Sequence, residues 1–321
     1  MNINAYVSLI KKNVKLFNRN TAHFYQERYL CAWLDEIMCF FRYGASPEDY
    51  YRYEFYKKSG YERNKYITYR RGRAIVKRYN DKNSVRVLDD KVSFNQMFQE
   101  FLFRDWIDVD SVSEEAFAKF LKKHEVAILK PKRGSGGKGV FILTHKEYED
   151  KKITLSDCRN YIAEEILRQH SDMAILNHTS VNTLRVMTFG GKAISCSCKI
   201  GCNNSFVDNM SSGGIYGHVD LKSGILDSLC YDIQLKPYLR HPTTNHVLLG
   251  FQIPNWDMVC ATVEDAAAKI PNIGYVGWDV AVLKDRVALV EGNARPGHDL
   301  NQQAAQTGLY DIIKKISREM Q

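Results

Sequence analysis

Residues 126–144 read VAILKPKRGSGGKGVFILT, and the order of elements within this stretch decides the fold. Val126–Lys130 reads as a strand and Val140–Thr144 as another, joined by a loop through Gly134, Ser135, Gly136, Gly137, Lys138 and Gly139. Gly134, Gly136 and Gly139 satisfy G-x-G-x-x-G, but a dinucleotide site needs strand, loop, then helix, so that the pyrophosphate meets a helix N-terminus. Here the loop opens onto VFILT, a strand. A Walker A loop is excluded too, because no Gly-Lys-Ser/Thr is present. A protein kinase also covers phosphates with a glycine loop, but it needs HRD and DFG triplets, and neither occurs. Strand, glycine loop and strand together make a flap. Its bare backbone N–H groups can close over phosphates because no Cβ stands in the way. Four glycines in six residues, flanked by Lys130, Lys132 and Arg133, exceed what a plain hairpin turn requires.

Upstream of the flap the apolar period is helical. Leu9, Ile10, Val14, Leu16 and Phe17, then Leu30, Trp33, Leu34, Ile37 and Phe41, recur at spacings of three to four, so residues 5–41 are expected to be helical. Tyr50 to Arg78 reads as helix with loops. Phe94, Met97, Phe98, Phe101 and Leu102 form one stripe over Ser93–Phe103, and Ser113 caps a further helix with Glu114 and Glu115 in its first turn. Downstream the period falls to two. Tyr161–Leu167 reads as a strand, and Thr183–Phe189 with Lys192–Ile200 as a hairpin over Gly190-Gly191, a pair suited to a primed turn. Ile215–Asp220 and a strand after Gly224 form another hairpin. A helix over Asp257–Ile270, a last hairpin (Tyr275–Leu283 and Val287–Glu291) and a helix over Leu309–Met320 complete the chain. Helices in front and antiparallel strands behind define an α+β class.

The 321 residues suffice for two or three lobes with cores. No run approaches 18 apolar residues, which argues against a membrane span, and the N-terminus has no signal-peptide pattern. Eight cysteines are scattered without a CxxC pair or zinc spacing, as expected of reduced thiols. The charge is uneven. Residues 1–90 hold 18 Lys+Arg against 10 Asp+Glu, leaving 27 of each sign in the rest. That basic third is also rich in tyrosine, a mixture that suits a phosphate-bearing partner, an anionic membrane face or a nucleic acid. A solvated basic surface over packed tyrosines is the plainer alternative.

The other decisive feature is late. Asp279 in VGWDVAVL and Glu291 with Asn293 in VALVEGNARPG each interrupt an apolar strand. A lone carboxylate in an apolar sheet is costly and wants a cation. Oxygen ligands of these types suit Mg²⁺ completed by phosphate oxygens. Arg295 is the other partner the pair could find. A three-residue turn at Lys284-Asp285-Arg286 would set Asp279 opposite Glu291; a two-residue turn would pair Asp279 with Val290 and turn Glu291 away.

With these residues in view, the chain resembles the ATP-grasp superfamily, and within it the branch associated with bacterial surface-sugar transfer, over roughly residues 85–305. The resemblance implies two α+β lobes clasping ATP between antiparallel sheets, with a mainly helical N-terminal region: residues 1–84, a lid subdomain over 85–165 and a C-terminal subdomain over 166–321. Asp90-Lys91 with Phe94, and Ile128-Leu129-Lys130-Pro131, resemble the two motifs whose lysines hold the α- and β-phosphates. Gly134–Gly139 corresponds to the flap. Tyr161–Leu167, with Glu164, Glu165, Ile166 and Leu167, resembles the adenine hinge, and Asp172 is the nearest carboxylate for the ribose. Asn182–Arg185 resembles the segment whose arginine meets phosphate or the acyl phosphate. Asp279, Glu291 and Asn293 match the metal-binding acid, acid and amide, and Arg295 the adjacent catalytic or substrate arginine. Many ligases of the superfamily carry an arginine where this chain has Gly277; Arg185 or Lys199 is the candidate to supply that charge. The polar segment Lys199–His218 resembles the loop that carries Asn209 and Gly213-Gly214 in this branch, and it is the candidate for closure over the acceptor.

The resemblance implies an ADP-forming carboxylate–amine ligase that uses ATP and Mg²⁺, with Mn²⁺ as an alternative metal. Its substrates would be a small carboxylate and an amine or sugar-linked acceptor, in the cytoplasm or peripherally at the inner membrane face through the basic N-terminal region. A sugar or polyol kinase of the same superfamily shares all the nucleotide residues. A non-enzymatic nucleic-acid or membrane-surface binder leaves the carboxylates at 279 and 291 unexplained, so no nucleic acid is expected.

Overall fold

The computed structural model describes residues 34–134, 136–203 and 205–320. The helical stretch expected over 5–41 lies outside these residues up to position 33; residues 34–43 are helical.

Two antiparallel sheets organise the rest. The smaller contains β1 (Trp106–Asp108), β2 (Val126–Pro131), β3 (Phe141–Thr144) and β4 (Tyr161–Glu165), in the order β1-β4-β2-β3. Alternation along β2 and β4 sends Ala127, Leu129 and Ala163 against Phe117, Phe120 and Leu121 of the helix Glu114–His124. That helix starts where Ser113 Oγ accepts the Ala116 N–H at 3.2 Å. The opposite face carries Ile128, Lys130 and Glu164.

The larger sheet contains β5 (Thr183–Phe189), β6 (Lys192–Ile200), β7 (Ile215–Val219), β8 (Cys230–Tyr231), β9 (Pro237–Tyr238), β10 (Tyr275–Val282) and β11 (Val287–Asn293). Its order is β11-β10-β5-β6-β7-β8-β9. Gly190 and Gly191 both have positive φ, 57° and 79°, as the tight β5–β6 turn requires. One face is apolar: Leu184, Val186, Cys196, Cys198, Trp278 and Val280 pack with Val259, Val263 and Ala266 of the helix Trp256–Ala268. The other carries Glu291, Asp279, Arg185, Ser197 and His218 as successive cross-strand partners. The seven described cysteines are all free. No helix among the described residues is long and apolar enough to cross a membrane.

The strand expected after Gly224 reduces to two isolated bridges, Val219 to Leu226 and Ile225 to Gln252. Gly224 itself packs on Trp256, whose Cγ lies 2.4 Å from where a Cβ on Gly224 would stand. The chain bends onto that ring, and Leu226 N–H turns to the Phe251 carbonyl at 2.9 Å.

The N-terminal region is tied to the large sheet by buried amides. The helix Tyr69–Tyr79 ends at Asn80, whose Nδ2 donates to the Tyr275 carbonyl at 2.7 Å and the Ala294 carbonyl at 2.6 Å, while Oδ1 accepts the Tyr275 N–H. Gln302, in the helix Asp299–Ala305, accepts the Ile67 and Leu309 N–H groups and donates to the Ile67 carbonyl. Asn80→Ala would leave three buried backbone groups unpaired beside the site hairpin. It should lower unfolding stability by about 3 kcal/mol in urea titration.

Candidate active site

Every residue of β10 is buried, so the charge on Asp279 must be answered from neighbouring strands. Arg185 on β5 grips it twice, Nε to Oδ1 and Nη2 to Oδ2 at 3.0 Å, and Lys199 Nζ on β6 donates to Oδ2 at 3.0 Å. Burial alone would push this carboxyl up; Arg185 and Lys199 hold it well below the usual carboxylate range. Glu291 is pushed the other way, by burial and by Asp279 beside it, with Arg185 Nη2 at 4.0 Å. Asn293 Nδ2 donates to Glu291 Oε1 at 3.2 Å, which leaves its amide oxygen without a donor among the described residues. Two carboxylates and a free amide oxygen are a donor set that fits a hard divalent cation.

The juxtaposition depends on an irregularity. The Leu283 N–H bonds the Arg286 carbonyl at 2.9 Å and Val282 pairs with Val287, so the hairpin tip has the two-residue register. In that register Glu291 would face away. A β-bulge at Val290 corrects it: Val280 pairs with Leu289, yet Asp279 pairs with Glu291. The extra residue re-aims one side chain, a common use of bulges beside functional sites.

Gly277 is explained by the same corner. A Cβ there would lie 2.8 Å from Pro296 Cβ and 3.3 Å from Arg185 Cδ. The stem of Arg185 occupies the room that a side chain at 277 would need, and both Arg185 and Lys199 bond Asp279.

From the small sheet, Lys130 Nζ lies 2.6 Å from Glu164 Oε2, and Glu164 Oε1 accepts from Arg104 and from Asn95, each at 2.9 Å. Burial would raise the Glu164 carboxyl, but Arg104 and Lys130 hold it well below its usual range. Glu164 is thus a buried anchor for Lys130, and its side chain is not free for a nucleotide. Lys91 follows Asp90, which caps the helix Lys91–Met97 through the Ser93 N–H. Burial lowers the Lys91 ammonium, and the charges it feels most are Glu291, Lys130 and Glu164. The helix that begins at Lys91 packs on β11, where Phe94 Cε2 lies 3.2 Å from the position a Cβ on Gly292 would take, and Arg104 ties the Glu164–Lys130 pair to the same strand by donating to the Leu289 carbonyl at 2.6 Å.

The flap lies against the polar loop 201–214. Gly134, Gly136, Gly137 and Gly139 all have positive φ. Lys91 Nζ donates to the Gly134 carbonyl at 3.1 Å and Ser211 Oγ to the Gly136 carbonyl at 3.4 Å. A Cβ on Gly137 would meet Asn209 Nδ2 at 2.5 Å. Lys138 is exposed, and Ser135 lies outside the described residues. The same loop is fastened to the sheet by Asp208, whose Oδ2 accepts the Thr183 N–H and hydroxyl and whose Oδ1 is 3.8 Å from Lys199 Nζ.

At the hinge, β4 ends at Glu165, whose side chain turns to the Asp105 N–H at 3.1 Å. The backbone groups of Ile166 and Leu167 make no hydrogen bonds within the described residues, which leaves them free to read a base edge. Asp172 lies in the first turn of the helix Ser171–Leu176, exposed, 3.7 Å from His170. Arg295 is also exposed and bonds Asp89 Oδ2 at 2.6 Å, apart from the Asp279 partners. Residues that sequence reasoning missed are Arg104, Asp208 and a polar group beyond Lys199. There, Tyr216 on β7 stands opposite Lys199, Arg52 Nε is 3.9 Å from Asp299, and Arg52 Nη1 is buried without a partner among the described residues. Single polar residues without a motif gave no signal for these.

A glycine flap and Lys130 on one antiparallel sheet, Lys91 at the start of a helix bonded to that flap, and an acid pair on a second sheet are the arrangement of the ATP-grasp fold. The chain belongs to the sugar-transfer associated ATP-grasp family, whose model matches residues 70–318. Among solved structures, the ATP-grasp ligase PsnB, complexed with a phosphomimetic variant of its minimal precursor, Mg and ADP, is similar at 14% identity and TM-score 0.47, over 76% of this chain and 61% of that one. The chain thus spans about three fifths of PsnB. A D-alanine–D-alanine ligase from Bacillus anthracis, complexed with ATP, is similar at 15% identity and TM-score 0.47, over 75% of this chain and 69% of that one. D-cycloserine synthetase DcsG is similar at 13% identity and TM-score 0.43, over 74% and 72%. A comparison with curated proteins returned no match.

The Arg104–Glu164–Lys130 cluster yields a stability prediction. Glu164→Gln leaves two buried cations uncompensated and should cost about 3 kcal/mol or more at pH 7 in urea titration. Because the native carboxyl sits below its unfolded value, its contribution is present above about pH 4 and is lost as the pH falls further. The difference between wild type and variant should therefore shrink in acid.

Proposed function

We propose that this chain is an ADP-forming ligase that activates a carboxylate as an acyl phosphate and passes it to an amine, with a sugar or surface-polysaccharide precursor as one substrate. The observation that carries this reading is the meeting of Asp279 and Glu291 on one sheet face with Arg185 and Lys199 bonded to Asp279 behind them.

Each group has a part. Asp279, Glu291 and Asn293 would hold Mg²⁺, with Mn²⁺ as a substitute; the ion when bound neutralises phosphate charge. Lys130 from the small sheet and Lys91 from the helix beside the flap hold the phosphates, and the free backbone of Ile166 and Leu167 receives the adenine. Glu165 belongs to the hinge, and Asp172 is the candidate for the ribose. Arg185, locked by Asp279, presents cationic charge where the γ-phosphoryl moves to the substrate carboxylate. Such fixed charge needs no reorganisation during reaction. The flap on Asn209 and Ser211 keeps water from the acyl phosphate until the amine attacks and phosphate leaves. Arg295 is poised at the rim, where breaking its bond to Asp89 would free it for substrate. Residues 85–165 form the lid and 166–321 the body in this reading. Free thiols throughout the described residues accord with a cytoplasmic setting.

The test is ADP release screened over amino acids and uronic acids as carboxylates, with amine acceptors. Release should require both co-substrates. Glu291→Ala should lower kcat by about 100-fold or more. ADP formed with a stable phosphorylated product and no condensation would overturn the ligase in favour of a kinase. Gly137→Ala, which sets a Cβ against Asn209 at φ +71°, should lower kcat by roughly tenfold in the same assay while the fold, read by circular dichroism, is retained.

A further inference from the structure

The helix Tyr69–Tyr79 does two jobs on two faces. Its inner face is fixed to the site. Gly72 admits the ring of His298, whose Cε1 would be 2.3 Å from a Cβ there, and Asn80 at the helix end bonds Tyr275 and Ala294. Its outer face is Tyr69, Arg70, Arg73, Ala74, Lys77 and Arg78, all exposed. The helix contains no acidic residue, and none of these four cations is paired with a carboxylate among the described residues. Ordinary solvated helices intersperse both signs and gain from i,i+4 pairs, so an acid-free face is uncompensated in solution.

A second feature adjoins it. Residues 34–43 form a helix on which Leu34, Met38 and Phe41, at i, i+4 and i+7, are 59%, 46% and 74% exposed. The two helices meet at Arg70. Its N–H bonds the Gly44 carbonyl at 3.1 Å, and its guanidinium lies over the Phe40 ring at 5.8 Å, next to Phe41.

We infer that these joined faces dock the protein on an anionic phospholipid surface. Phosphate headgroups would compensate the cations, and the apolar stripe would enter the headgroup–acyl boundary. Cations alone would suit a nucleic acid equally; the exposed aliphatic stripe beside them is what favours lipid, since a nucleic acid offers no apolar layer to cover Leu34 and Met38. The inference is independent of the acyl-phosphate chemistry. It does explain why the basic helix is bonded so closely to the site: a surface-held acceptor would be presented at a fixed distance from Glu291.

Co-sedimentation of the full chain with phosphatidylcholine vesicles, with and without about one-third phosphatidylglycerol, tests this at about 0.1 M salt. Wild type should partition onto anionic vesicles at least tenfold more strongly than onto neutral ones, and higher salt should weaken it. The quadruple charge reversal Arg70→Glu, Arg73→Glu, Lys77→Glu and Arg78→Glu should abolish the difference, and the milder Gln substitutions should reduce it. Both should keep wild-type affinity for an ATP analogue, which shows that the fold survives. Leu34→Ser with Phe41→Ser should weaken binding at unchanged net charge. Equal partition onto both vesicle types, undiminished binding by the Gln variant, or tighter binding to duplex or single-stranded nucleic acid that vesicles do not displace would overturn the proposal.

Discussion

A carboxylate buried in the middle of an apolar strand is the constraint around which this molecule is built. Asp279 can remain ionised only because Arg185 and Lys199 reach it from two further strands of the same sheet face. Removing a charge from water costs several kcal/mol unless the partners are close and well bonded. The cations are held in turn, Lys199 near Asp208 and Arg185 near Glu291. The polar face of the large sheet is therefore one connected set of charges, and its geometry cannot shift at one member without disturbing the rest.

The second sheet repeats the device on a smaller scale. Glu164, itself buried, is satisfied by Arg104, Asn95 and Lys130. The effect is to fix Lys130, while Arg104 ties the cluster to β11 through the Leu289 carbonyl. Charge is thus concentrated between the two sheets by pairs that are each locally neutral. A polyanion bound there would add to an electrostatic framework that already stands, which is the preorganisation that phosphoryl chemistry needs. Above this, the flap and the polar loop that follows β6 touch through Gly136, Gly137, Asn209 and Ser211.

Much was legible in the sequence for reasons of period and chemistry. The change from helical to strand spacing near residue 126, the Gly190-Gly191 turn and the Ser113 cap are local signals, and each element formed close to where its residues suggested. The flap was legible because glycine has few reasons to cluster between strands. Elements that lacked such signals were not foreseen: β1, β8 and β9 are two or three residues long, and the strand after Gly224 reduced to two isolated bridges.

By itself the sequence determined which residues could do chemistry, because unusual polar residues in apolar strands and glycines in a loop are visible one position at a time. It left open how they meet. The turn at residues 283–286 took the register that faces Glu291 away, and only the bulge at Val290 turned it back beside Asp279. Arg104, Asp208 and Arg52 each have a partner far off in the chain, at separations of 60, 25 and 247 residues. Register, bulges and long-range ion pairs depend on how whole sheets pack, and a linear pattern records no distance between strands.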